Sequence, residues 1–301
     1  MSAPRDEQTR GFLLVLLSTL AYGAMPIFGK VAYAAGANAA SLLAWRFTLA
    51  TILFALLATR KSRGLAWRDH RALWGIGFVF VVNALCYFKA LETIPASTAA
   101  LLVYTYPVMV TLISGLLGLD HFTLRGLVAA AMAFSGCALT AGTVQGGGPG
   151  VWLVLVSALL YSIYMILGSR FAAHLPAEAT ASHTAQASAV VCIPFALAQG
   201  EILLPPDPRA WAAVLAIATL STVVALRALL SGMARIGAVR AAVLSSFEVV
   251  VTLSLAALFL GEALGPRSLA GAALIVGAVV LQNLGTLQRL ARRGGGVPSA
   301  S

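Results

Sequence analysis

Charge is what this chain has least of. Of its 301 residues only 10% are Asp, Glu, Lys or Arg, against 60% hydrophobic residues and a mean hydropathy of +0.91. That balance excludes an ordinary soluble domain. Cysteine is scarce as well: Cys86, Cys137 and Cys192 all fall inside apolar runs, with no CxxC. A disulfide framework and a thiolate metal site are both excluded by that spacing. The four histidines, His70, His121, His174 and His183, lie at or near helix ends with no pair at ligand spacing. No metal and no cofactor is expected. A GxxxxGK[ST] loop is also missing, so ATP does not drive this protein directly. The net charge of +10 is spread over short loops without an aromatic-interleaved basic patch, which argues against nucleic acid as a partner.

What the chain has instead is long apolar runs. A bilayer offers no partners to backbone amides, so such runs must be helices when strict alternation is absent. Ten of them can be placed, at about 11–35, 38–59, 72–93, 96–119, 123–142, 151–171, 179–200, 209–234, 239–261 and 266–287. Several approach the roughly 20 residues needed to cross a hydrocarbon core of about 30 Å. A signal peptide is weighed for the first run, because Ala32 to Ala34 imitates a cleavage site, and is rejected because the run is too long.

One stretch occurs twice. IPASTAALLVYTYPVMVTLISGLLGLDHFTLR, from Ile94 to Arg125, aligns without gaps to IGAVRAAVLSSFEVVVTLSLAALFLGEALGPR, from Ile236 to Arg267. Ala99 meets Ala241, Leu102 meets Leu244, and Asp120 meets Glu262. Ser18 and Tyr22 of the first run likewise match Ser157 and Tyr161 of the sixth. The Gly-rich GTVQGGGPG divides two groups of five runs and reads as a linker. The expected organisation is therefore a first five-helix unit over 11–142, a linker over 143–150, a second unit over 151–287 and a disordered tail over 288–301. An odd number of spans per unit turns the second unit upside down, which gives an all-α integral membrane fold of ten transmembrane helices as a 5+5 inverted repeat.

Lys and Arg fix the expected orientation. Fourteen, among them Arg5, Arg10, Arg60, Lys61, Arg63 and Arg68, fall on one side, and only Lys30, Arg209 and Arg267 on the other. The positive-inside rule then places both termini in the cytoplasm of a multi-pass plasma-membrane protein.

Polar residues within the spans need a reason to be there, since a charge at mid-bilayer costs about 2.5 to 3.5 kcal/mol on insertion scales. Arg46, about eight residues into the second run, either bonds backbone carbonyls or faces a cavity and holds a carboxylate. Its repeat counterpart is Gln186. Glu248 is the one acid placed near mid-depth; it either carries a proton, holds an amine, or pairs structurally with Arg227. Lys89 is three residues from Glu92, the spacing of a helical ion pair. Asn83 and Tyr87 share a helix face, and Tyr104, Tyr106, Tyr161 and Tyr164 add phenols, each either a core or belt residue or a contact for a polar organic solute. Pro107 should bend the fourth run, and Ala129 with Ala133, like Ala273 with Gly277, provides a small-residue packing face.

AALLVYTYPVMVTLISGLL and AAVLSSFEVVVTLSLAALFLGE, set in a 5+5 layout over about Gly11 to Leu287, resemble the paired signature of the EamA branch of the drug/metabolite transporter superfamily. Glu248 keeps the acid of that signature, although Val249 follows where proline is common; the first unit keeps Pro107 behind Tyr106 instead. The resemblance implies ten helices around a central cavity and the export of small metabolites such as amino acids. Arg46, Asn83, Tyr87, Tyr104, Tyr106, Tyr161, Tyr164 and Glu248 are the expected substrate contacts, with Pro107 and Arg227 structural or gating. Proton-coupled efflux of cationic drugs through Glu248 is the alternative. A membrane-embedded transferase is disfavoured, because only Asp120 with His121 forms an acid and histidine pair in a loop. Monomer and homodimer both remain open.

Overall fold

The computed structural model describes residues 5–57, 67–119, 123–141, 148–171, 175–200, 207–236, 241, 244–245 and 247–294. Its described residues hold thirteen α-helices and one π-helical stretch, with no strand. They are α1 (Arg5–Gly23), α2 (Met25–Ala34), α3 (Ala39–Leu56), α4 (Trp67–Leu91), α5 (Ala96–Val103), α6 (Tyr106–Leu116), α7 (Leu124–Ala141), α8 (Pro149–Phe171), α9 (Ala177–Ala198), α10 (Pro208–Ala218), α11 (Ala225–Ile236), α12 (Glu248–Leu260) and α13 (Pro266–Gly294). Thr219–Val224 is the π-helical stretch between α10 and α11. Much of the expected linker, Asp120 with His121, His174, and basic residues of the second loop and Arg240 lie outside the described residues.

Among the described residues, seven helical stretches are long and apolar enough to span a bilayer: Asp6–Ala34, Ala39–Leu56, Trp67–Leu91, Ala96–Leu116, Pro149–Phe171, Glu178–Ala198 and Pro208–Ile236. Leu124–Thr140, Glu248–Leu260 and Pro266–Leu281 are apolar but shorter. The protein is therefore a multi-pass membrane protein. Residues 288–294, read from sequence as part of the tail, continue α13.

Two of the expected runs are not continuous helices, and the cause in each is proline. Pro26 and Pro107 lack an amide hydrogen and cannot bond back to the preceding turn, so α1 gives way to α2 at Ala24 and α5 to α6 at Thr105. In the ninth run Ala241, Leu244 and Ser245 are helical, Phe247 is a turn, and α12 starts at Glu248. Glu248 thus opens a helix, instead of lying nine residues into one.

Packing joins elements from opposite ends of the chain. The main contacts are α1 with α11, α2 with α10, α3 with α9, α4 with α8 and α9, α5 with α12, and α7 with α13. Lipid exerts no hydrophobic drive between helices, so close approach depends on small residues. On α7 and α13 that role falls to Gly136 and Gly271. A Cβ on Gly271 would meet the Thr140 hydroxyl and lie 2.8 Å from the Gly136 carbonyl. Ala129, Ala133 and Ala278 continue the same seam.

Acids hold helix starts on the side expected to face out. Glu92 Oε1 accepts from the Ala39 amide at 2.7 Å, while its other oxygen pairs with Lys89 at 2.7 Å. Glu262 accepts from the amides of Ala96 and Ser97 at 2.7 and 2.9 Å, satisfying the first amides of α5. Gly271→Leu should separate α7 from α13 and lower stability by about 1 to 3 kcal/mol, typical of overpacking. Thermal unfolding of the purified protein in detergent, beside Ala270→Leu as a control, measures it.

Candidate functional site

The interior is lined by one run of aromatic rings. Tyr104 and Tyr106 meet edge to face with centroids 5.8 Å apart, Tyr106 and Tyr161 at 4.7 Å, and Tyr161 stacks on Tyr164 at 5.7 Å. Phe80 continues from Tyr164 at 5.0 Å, and Phe47 from Phe80 at 6.1 Å. At that end the run reaches a cation. The Arg46 guanidinium carbon lies 4.9 Å from the Phe47 ring centre and 5.3 Å from that of Phe88, and Tyr87 packs edge to face on Phe88. These rings come from α3, α4, α5, α6 and α8.

Arg46 is only 5% exposed. Its Nε donates to Thr222 Oγ1 at 3.3 Å, and Thr222 in turn donates to the Ile217 carbonyl at 2.9 Å. The π-helical stretch supplies that arrangement, because its wider turn moves a carbonyl out of the ordinary ladder. Tyr22, Tyr33 and Tyr87 lie within electrostatic reach of the guanidinium. Desolvation is thus offset by ring faces and one hydroxyl, with no carboxylate paired to Arg46 among the described residues.

Glu248 stands across this interior, in the first turn of α12, where the helix dipole favours a negative charge. Tyr22, Tyr87, Tyr104, Tyr106 and Tyr161 all lie within its electrostatic reach. Tyr22 and Tyr87 lie within electrostatic reach of both Glu248 and Arg46, so the acid and the base flank the same tyrosines. The side chain is half-buried, and no cation lies within ion-pair distance of it among the described residues. The weighed pairing with Arg227 is not made. Arg227 reaches Glu178 Oε1 at 3.5 Å, both side chains being about a third exposed (37% and 34%), too far toward the surface to neutralise Glu248.

The remaining expected contacts divide. Asn83 is buried and accepts from Ser157 Oγ at 2.6 Å, which joins α4 to α8. Tyr104 donates its hydroxyl to the Ser245 carbonyl at 2.8 Å and so is committed to structure. Gln186, the repeat counterpart of Arg46, donates to Ser182 Oγ at 3.3 Å. Pro107 stands beside Tyr106, whose carbonyl accepts from Ser162 Oγ at 3.1 Å. Thr252 Oγ1 donates to the Gly23 carbonyl at 2.9 Å, where α1 breaks.

Sequence reading missed Thr222, Tyr33, Phe47, Phe80 and Phe88 as members of the enclosure. Phe80, Asn83, Tyr87 and Phe88 recur at helical spacing on α4, and that stripe was the available signal. It also missed a contact between His70 and His183, whose separation in the chain gives no sign of it. Among the described residues no group of three or more His, Cys, Asp or Glu could hold a metal.

Thr252→Val keeps the shape of the side chain but leaves the Gly23 carbonyl unpaired, so stability should fall by about 1 to 3 kcal/mol, the cost of an orphaned buried acceptor. Thr252→Ser should restore most of it. Unfolding curves for the two variants test the bond.

With this geometry established, comparison with known proteins places the chain. The model of the EamA-like transporter family matches residues 9–142 and 148–284. An uncharacterized transporter, YcbK, of Bacillus subtilis (strain 168) is 26% identical over 277 residues, 86% of this chain and 88% of that protein. The aromatic amino acid exporter YddG of Ancylobacter novellus is 28% identical over 250 residues, 79% of this chain and 84% of that protein. A crystal structure at 23% identity superposes with a TM-score of 0.64, covering 95% of this chain and 99% of that one, which shows a shared fold. The chain belongs to the EamA-like transporter family, and it is a membrane transporter, not an enzyme.

Proposed function

We propose that this transporter exports aromatic and other amphipathic amino acids, by alternating access between two five-helix units inserted in opposite senses. One observation carries the substrate class: a buried guanidinium set against ring faces and a carboxylate flank the same tyrosines, and among the described residues they are not paired with each other. An amino acid presents the complementary set. Its carboxylate suits Arg46, its ammonium suits Glu248, and an apolar or aromatic side chain suits the rings of Tyr87, Tyr106, Tyr161 and Tyr164. The name of the Ancylobacter relative, an aromatic amino acid exporter, favours the same class.

The inverted arrangement is supported by the packing pattern. Exchanging the first five runs for the last five turns the contact of α1 with α11 into that of α8 with α4, and carries α3 with α9, α5 with α12 and α7 with α13 onto themselves. A pseudo-two-fold axis in the membrane plane has that property. On this reading there are ten spans and both termini are cytoplasmic. The units are 11–142 and 151–287, with Pro107 and the π-helical stretch as the flexing points.

A second reading, proton-coupled efflux of cationic drugs, is favoured by one feature: among the described residues no cation lies within ion-pair distance of Glu248, which has tyrosines within electrostatic reach. The two readings separate on Arg46. In everted vesicles containing the protein, labelled Phe, Tyr and Trp should accumulate, and Arg46→Ala should weaken their apparent affinity about 10- to 100-fold, from the roughly 1.5 to 3 kcal/mol of a charged hydrogen bond. Glu248→Gln should impair zwitterions and organic amines alike. Equal transport of amino acids by wild type and Arg46→Ala would defeat the first reading; transport of amines alone, insensitive to Arg46 and lost in Glu248→Gln, would establish the second. Imposing and omitting a pH gradient in the same assay reads proton coupling.

A further inference from the structure

We propose that His70 and His183 form a proton-binding site between α4 and α9, remote from Glu248, which holds one proton between its two rings. His70 Nδ1 lies 2.8 Å from His183 Nε2, and the ring centres are 4.9 Å apart. His183 is 8% exposed and half its bonding is fixed by backbone: its Nδ1 lies 2.8 Å from the Ala179 carbonyl. The proposal does not depend on what the transporter carries.

Proton positions follow from what each atom can do. A carbonyl only accepts, so His183 Nδ1 carries a hydrogen. In the neutral ring Nε2 is then an acceptor, and His70 Nδ1 must donate to it. The neutral pair therefore leaves one lone pair free, on His70 Nε2. A proton taken up there makes His70 an imidazolium and its bond to His183 charge-assisted. Shifting the bonding hydrogen from His70 Nδ1 to His183 Nε2 passes the charge to the inner ring. His70 is then neutral with its hydrogen on Nε2, and its Nδ1 accepts from His183. A second proton would set two N–H groups against each other across 2.8 Å, so the site takes one while α4 and α9 stay packed.

Access and charge surroundings suit this use. Imidazole is the side chain that ordinarily titrates between about pH 5 and 8. A cavity of about 230 Å³ lined by Arg68, Asp69, Ala72, Arg170 and Phe171 opens beside the first turn of α4. The charged and titratable groups on the packed elements are Arg68, Asp69 and Arg71 of α4, Arg170 and Tyr164 of α8, Glu178 of α9 with its partner Arg227 of α11, and Arg46 further along α3. The acids favour uptake and the arginines oppose it. Because α4 carries Asn83 and Tyr87 and α9 packs on the helix of Arg46, proton occupancy would tighten the contact between two helices that flank the aromatic enclosure.

The full chain labelled with ¹⁵N-histidine in nanodiscs tests this by NMR, with His70→Asn and His183→Gln assigning the signals. In the neutral pair both rings should carry hydrogen on Nδ1, and a coupling across the N–H···N bond should link them. On acidification the two rings should take up one proton in a single shared step, and in His183→Gln the shared step should vanish. Independent uptake of one proton by each ring, or a neutral His183 with hydrogen on Nε2, would overturn the site. The coupling in the wild type decides the matter even where a variant fails to fold.

Discussion

A backbone group inside a bilayer must find its partner within the protein, and this constraint decides where the helices of this transporter can break. Each interruption frees carbonyls that lipid cannot satisfy. Here the freed groups are met by hydroxyls, mostly from other helices: Thr252 serves the Gly23 carbonyl, Tyr104 that of Ser245, Ser162 that of Tyr106, and Thr222 that of Ile217. Interruptions are affordable only where helices are already packed together. They therefore collect in the interior, and the interior acquires exposed polar atoms and helix ends as a by-product.

The same constraint explains how two opposite charges persist there unpaired. A guanidinium removed from water is costly unless its hydrogens and its charge are met. Arg46 is met by Thr222, itself presented by the π-helical stretch, and by the faces of Phe47 and Phe88. Glu248 is met by the dipole of α12 and by nearby phenols. Had Arg227 reached Glu248, the acid would be a structural counterion. Glu178 draws Arg227 toward the surface instead, and leaves the carboxylate to the enclosure.

Much of this was legible in the residues. Apolar runs, the doubled stretch and Pro107 announced helices, their repetition and one bend, and intramembrane charge singled out Arg46 and Glu248; the break before Pro26 was missed. The gaps have physical causes. Whether Glu248 lies within a helix or opens one depends on the turn before it, where Ser245 and Phe247 offer no proline as a warning. The π-helical stretch has no composition of its own: TLSTVV reads as ordinary helix, and nothing in those residues announces the Arg46 bond to Thr222 across two helices. Phe47 and Phe80 read as core until a cation is placed over one and a tyrosine beside the other. The His70 and His183 contact depends on α4 and α9 packing side by side, which hydropathy does not encode.

Repetition and chemistry diverge at the places that matter most. Tyr106 and Glu248 occupy equivalent positions in the doubled stretch, and each is the first residue of its helix, α6 or α12. One contributes a phenol and the other an acid. Arg46 and Gln186 differ in the same way, a cation against an amide. A scaffold whose packing maps onto itself thus surrounds an enclosure with a positive end and a negative end. Identical halves would bind a solute equally well in two opposed poses, whereas these substitutions leave one pose favoured. On the proposed reading, a zwitterion's carboxylate would lie toward Arg46 and its ammonium toward the Glu248 carboxylate, whose own charge is the one that the N-terminal end of the α12 dipole favours.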